Sequence, residues 1–151
     1  MSKARFFVLA QFGLLGVLVL LPVDAAINAP NWFRVVSLAL MISSFAILLF
    51  AIIALRPALT ASPVPRADAP LVRSGIYKYV RHPMYTAVIA IGAAIMLGNP
   101  TFLTMVVWVA LIIVLLNKAH FEDTLLLANY PAAKNYQLTT GAFLPKLKKS
   151  N

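Results

Sequence analysis

The chain has 151 residues, enough for one domain, and is 62% hydrophobic and 11% charged, against roughly 45–50% and about 25% in a soluble domain. With a mean hydropathy of +0.88, that composition excludes an ordinary soluble fold and points to an integral membrane protein. The lack of cysteine excludes disulfides, thiolate metal sites and a cysteine nucleophile, and a net charge of +9 fits the Lys/Arg excess of cytoplasmic loops better than nucleic-acid binding.

Lys3 and Arg5 precede an apolar run from Phe6 to Leu21. The basic start and Val23-Asp24-Ala25 suit a secretory signal peptide, but the run is longer than a signal core of about 7–15 residues. A second apolar span also follows almost at once, so an uncleaved first transmembrane helix is the better reading. Pro22, Asp24, Asn28, Pro30 and Asn31 make a polar turn, and Trp32 and Phe33 an interfacial anchor. Val35 to Leu55 then runs for 21 residues without a charge, matching the ~20 residues that cross a hydrocarbon core. Ser37, Ser43 and Ser44 are candidates to pack or hydrogen-bond against a neighbouring helix. Arg56 and Pro57 end the span. Pro57, Pro63, Pro65 and Pro70 make 57–70 an extended linker on the membrane surface, because proline lacks a donor and disfavours helix before it.

Residues 71–85 are polar, basic and aromatic, carrying Arg73, Lys78, Arg81, His82 and tyrosines at 77, 79 and 85 between hydrophobic spans. A third span is expected from Pro83 to Leu97, with proline in its first turn. Gly98-Asn99-Pro100 is a tight turn, and a fourth span runs from Thr101 through Leu116. No Gly or Pro follows until Pro131, so helix four should leave the membrane and continue for two or three turns through Asn117, Lys118, His120, Glu122 and Asp123. A short helix or turn covers 131–138, and Lys146, Lys148 and Lys149 form a basic anchor to anionic headgroups. With both termini in the cytoplasm, only Arg34 of the 13 basic residues lies outside. That topology puts 71–85 and 117–136 on one membrane face, at the open end of one helical hairpin.

The start of helix three offers backbone N–H groups and a positive dipole end, with Arg81 and His82 beside it. Glu122 and Asp123 are the only close carboxylate pair in the chain. Cationic donors facing carboxylates suit a zwitterionic ligand such as an amino-acid moiety, and the tyrosines can hold a flat ring or a sulfonium. For His82 the competing reading is an interfacial cap on helix three. For the acid pair it is a solvated helix face, for Lys118 a snorkelling cation, and for Tyr79 and Tyr130 the aromatic belt.

Leu71-Val72-x-Ser-Gly-x-Tyr77 followed by Arg81-His82-Pro83-x-Tyr85 resembles the signature of the isoprenylcysteine carboxyl methyltransferase family, shared by related bacterial membrane methyltransferases and phospholipid methyltransferases. Lys118, Glu122-Asp123, Leu126, Tyr130-Pro131, Tyr136 and Pro145 continue the pattern, so the likeness covers about 57–147. It implies S-adenosylmethionine-dependent methyl transfer to a lipophilic acceptor (an isoprenylcysteine-like carboxylate, a lipid or a small hydrophobic molecule). It also implies a cofactor site at Leu71, Val72, Tyr77, His82, Pro83, Met84, Tyr85 and Glu122. Lys118 maps to a substrate-associated basic residue, so Lys118 and Glu122 are the expected catalytic pair. Asp123 in place of the usual second Glu, Ala142 in place of an arginine and Ala133 in place of a tyrosine depart from the pattern, on the acceptor side more than the cofactor side. No Gly-rich fingerprint after a strand offers a Rossmann route to the cofactor.

The expectation is therefore an all-α integral membrane protein. It has about four transmembrane helices and a cytoplasmic C-terminal helical extension, in a bacterial inner membrane with membrane lipids as partners. It forms one membrane domain, an N-terminal hairpin at 1–56 and a methyltransferase core at 57–151. The alternatives are an NADPH-dependent membrane reductase of the sterol reductase type and a non-enzymatic scaffold or assembly subunit.

Overall fold

The computed structural model describes residues 2–24, 27, 29–60, 62–64 and 69–146, with only the backbone of Pro57. Ala25, Asn28, Pro65, Arg66, Lys148 and Lys149 lie outside the described residues. The described residues form five α-helices: α1 (Lys3–Leu20), α2 (Asn31–Leu55), α3 (Pro83–Gly98), α4 (Phe102–Asn129) and α5 (Ala133–Thr139). Short 3₁₀ turns follow at Arg56–Ala58 and Gly75–Lys78. No strand occurs among them, only an isolated parallel bridge between Val80 and Gly141.

α1, α2 and α4 are long and apolar enough to cross a membrane, with 18, 25 and 28 residues. At a rise of ~1.5 Å per residue, α4 is ~42 Å long against a hydrocarbon core of ~30 Å. It continues without interruption past Leu116, as its lack of Gly and Pro anticipates. α3 is apolar but has only 16 residues. α2 starts four residues before the expected Val35, so Trp32 and Phe33 sit in its first turn.

α3 and α4 make an antiparallel hairpin. α1 packs along α4 and α2 along α3, so the two N-terminal helices flank the hairpin from different sides. A Cβ on Gly92 would come within 2.7 Å of the Trp108 ring, so glycine lets α3 and α4 approach closely there. The Trp108 indole donates to Ile89 C=O at 3.0 Å. Leu18, Val107, Leu111 and Leu115 form the central apolar cluster. Most other large apolar side chains of α1 and α2 point outward, as in Leu20 at 83% exposure. That pattern is stable in lipid and costly in water.

Of the three candidate serines, one links helices. Ser37 donates to Ala94 C=O on α3 at 2.6 Å. Ser43 and Ser44 instead bond back to Leu40 C=O in their own helix, at 3.0 and 2.6 Å.

The hairpin's turn is closed by neutral groups. The Thr101 and Thr104 side chains cap the start of α4 reciprocally. Asn99 donates from its amide to Pro22 C=O at 2.9 Å, while its Oδ1 accepts from Asp24 N–H at 3.3 Å. At the opposite end lie the start of α1, the end of α2, the segment 69–82 and the end of α4.

Candidate active site

Segment 69–82 lies against α2 and α5 because of its turn chemistry. Gly75 has φ +58°, the one positive φ among the described residues, and a Cβ there would sit 3.2 Å from Ala54 Cβ. Glycine thus permits both the turn and its seat on α2. The Tyr136 hydroxyl of α5 donates to Tyr77 C=O at 2.7 Å, and the Tyr130 hydroxyl to Ala69 C=O at 2.7 Å. Tyr130 therefore ties down this segment, whereas Tyr79 stands 59% exposed.

The tail returns alongside. Arg81 and His82 donate their backbone N–H groups to Gly141 and Ala142 C=O at 2.8 and 2.9 Å. The Thr86 hydroxyl donates to Phe143 C=O at 2.9 Å. Gly141 is required here, since a Cβ would fall 1.8 Å from Leu144 O. Lys146 donates to Gln137 and Leu138 C=O near the end of α5.

Arg81 is the hub. Its guanidinium donates to Gln137 and Thr140 C=O at 3.0 and 2.5 Å and to Asp123 Oδ2 at 2.9 Å. The second Asp123 oxygen lies 3.1 Å from His82 Nε2. A carboxylate can only accept, so His82 Nε2 is the donor in this contact. The imidazole is 2% exposed and stacks on Tyr85 with the ring planes 6° apart. His82 occupies the N-cap position of α3, yet its side chain makes no capping bond; it faces the acids instead.

The acid pair divides its labour. Asp123 is occupied on both oxygens by Arg81 and His82. Glu122 accepts the Tyr85 hydroxyl at 2.6 Å, lies 3.7 Å from His82 Nδ1, and is the more exposed of the two. It borders two adjoining chambers of about 70 and 120 Å³, which also share Tyr77, Arg81, Leu55 and Thr60. Leu71, Val72, Tyr130 and Tyr136 are among the other residues of the first. Gln11, His82, Met84, Tyr85 and Lys118 belong to the second. Pro83 is buried as the first residue of α3 and lines neither chamber.

Burial and the Glu122 charge raise the Tyr77 phenol above its ordinary pKa. Burial pushes Tyr136 up to about 12. Both stay protonated donors at neutral pH.

Lys118 is 2% exposed. Its ammonium donates to Gln11 Oε1 on α1 at 2.7 Å and sits 4.9 Å from the centre of the Tyr85 ring. A cation held over a ring and hydrogen-bonded inside the fold is not snorkelling. Sequence reasoning missed Gln11, although it is the one hydrogen-bonding side chain in the run Phe6–Leu21. It also missed Thr60, which no local pattern marks, and the tail carbonyls that hold Arg81.

An all-helical chain with long apolar helices and a buried acid–base cluster at one end defines an integral membrane protein with a built polar site. The isoprenylcysteine carboxyl methyltransferase (ICMT) family matches residues 36–128, more than half of the chain. The chain belongs to that family of membrane methyltransferases. No curated protein and no solved structure matches it. The family match begins within α2 and stops before α5, so α1, Tyr136 and the Gly141 segment all lie outside it, although each touches the site.

Proposed function

We propose that the chain is an S-adenosylmethionine-dependent methyltransferase of a lipophilic acceptor, an isoprenylcysteine-like carboxylate being the first choice. The observation that carries this reading is the junction at Glu122, where a carboxylate held by Tyr85 borders both chambers.

The residues fit the cofactor's chemistry. Glu122 offers an acceptor for an ammonium. Arg81 lines both chambers, and its Nε–H is buried without a hydrogen-bond partner among the described residues, a donor suited to a carboxylate. Tyr77, Leu71 and Val72 offer apolar and aromatic surface for a ring, and His82, Met84 and Tyr85 complete the cofactor side, with Pro83 fixing the backbone behind them. When bound, the cofactor supplies an already activated methyl group. The chain's part is then to align the acceptor and exclude water. Lys118 supplies positive charge on the acceptor side, and a carboxylate acceptor needs no base at neutral pH.

Ligand pockets are of the order of 300–1,000 Å³, so binding widens the two chambers, whose lining includes Thr60, Ser62, Pro63 and Val64. The charge pattern supports four spans, α3 crossing between its neighbours, with both termini and the end of α4 in the cytoplasm. The whole chain is one membrane domain, and its acceptor reaches the second chamber from the bilayer.

Calorimetric titration of the purified chain in nanodiscs tests the reading. Saturable S-adenosylmethionine binding is expected, and Glu122→Gln should weaken it about tenfold or more, the size of a lost charge-assisted contact, with little change in thermal stability. NADPH binding in its place would make the chain a reductase.

A further inference from the structure

α1 resembles a plain membrane anchor in every respect but one. Its buried residues are Gln11 and Leu18. Leu18 belongs to the apolar cluster; Gln11 does not. Burying a carboxamide in a membrane helix is costly unless it is bonded, and this one accepts a hydrogen bond from the buried Lys118 ammonium. Both side chains line the chamber that also holds His82, Tyr85 and Glu122.

We propose that Gln11 is a positioning residue: it holds the Lys118 ammonium at the acceptor side of the chamber, which makes α1 a wall of the site. The inference rests on the methyltransferase reading above. Gln11 lies outside the region matched by the family, so the assignment comes from the geometry of this chain alone.

A neutral partner matters. An acidic residue at position 11 would hold the ammonium more firmly but cancel its charge. Glutamine holds it without adding a second negative charge beside the one that Glu122 already places near it. The Tyr85 ring beneath Lys118 and the Tyr85 hydroxyl on Glu122 link this hold to the cofactor side without competing for the same atoms. The bland rival is that Gln11 and Lys118 only fasten α1 to α4, as polar pairs do between membrane helices.

The two separate on Gln11→Glu. In nanodiscs, with S-farnesylthiopropionate as probe acceptor, Gln11→Leu should raise the acceptor KM about tenfold while kcat and the cofactor Kd stay within about twofold. Gln11→Glu should also raise KM, although it fastens the helices more tightly. A wild-type KM in Gln11→Glu, or a cofactor Kd that moves together with KM in Gln11→Leu, overturns the proposal.

A second measurement needs no acceptor. In protein labelled with ¹⁵N at lysine Nζ, the Lys118 ammonium, assigned from Lys118→Met, should give a slowly exchanging signal whose shift and exchange rate Gln11→Leu changes. A signal indifferent to Gln11→Leu overturns the proposal even if the probe is not turned over. Failure of the wild-type chain to bind S-adenosylmethionine sinks the methyltransferase reading, while the lysine signal still decides whether Gln11 holds Lys118.

Discussion

The two ends of the α3–α4 hairpin solve the same problem with different chemistry. At the turn, Asn99, Thr101 and Thr104 satisfy backbone groups through neutral bonds, several of them spanning only three to five residues. At the other end, Arg81 meets Asp123 forty-two residues away and Thr140 fifty-nine away. The Thr101–Thr104 cap is a local solution that sequence dictates, and Asn99 adds to it the two long-range bonds to Pro22 and Asp24. The open end is assembled from three separate segments, and it puts ionisable groups where burial makes them expensive unless each finds a partner. Such an arrangement suits a site better than a fastening, because it leaves Glu122 facing a cavity while Asp123 absorbs the cations.

The sharpest way to break this contrast is Arg81→Met. Removing one partner of a buried pair leaves the other uncompensated and costs about 3–5 kcal/mol. Arg81 and Asp123 are only 11% and 16% exposed, so little of that is screened. The variant also frees the carbonyls of Gln137 and Thr140. Denaturation in mixed micelles should show the full loss, and the cofactor Kd should rise with it.

Asn99→Ala is the matching cut at the turn. Asn99 is 6% exposed and bonds to Pro22 and Asp24, so its loss should cost about 1–3 kcal/mol. Cofactor affinity should not change. If it does, the two ends are coupled along the helices and the division drawn above is wrong.

How much of this the residues disclose follows from the same division. Hydropathy placed α1 to α4, Gly98-Asn99-Pro100 placed the turn, and the missing Gly and Pro after Leu116 placed the long end of α4. Alternation of the spans brought 71–85 beside 117–136. What stayed hidden needed contacts from far along the chain. Nothing local tells Asp123 from Glu122; Arg81 and His82 make the distinction by claiming one of them. Gln11 was visible as a lone polar residue in an apolar run, but its meaning depended on α1 packing against α4 at the level of Lys118. Tyr130 reads equally well as a belt residue until the segment carrying Ala69 is laid beneath it.

The smallest cut tests whether polar bonds matter between the turn and the site. Ser37 is the one α2 serine that reaches another helix, donating to Ala94 C=O at 2.6 Å. A carbonyl has two lone pairs, so Ala94 keeps its place in the α3 ladder when Ser37→Ala removes this bond. Bonds of this kind between membrane helices average about 0.6 kcal/mol, and the same micelle denaturation should give a loss near that figure. Ser44→Ala is the control, since Ser44 bonds only within α2. A Ser37→Ala loss as large as that of Asn99→Ala would mean that α2 is held on α3 by the hydrogen bond. A loss near 0.6 kcal/mol means that close apolar packing holds it, and that polar contacts carry weight chiefly at the two ends.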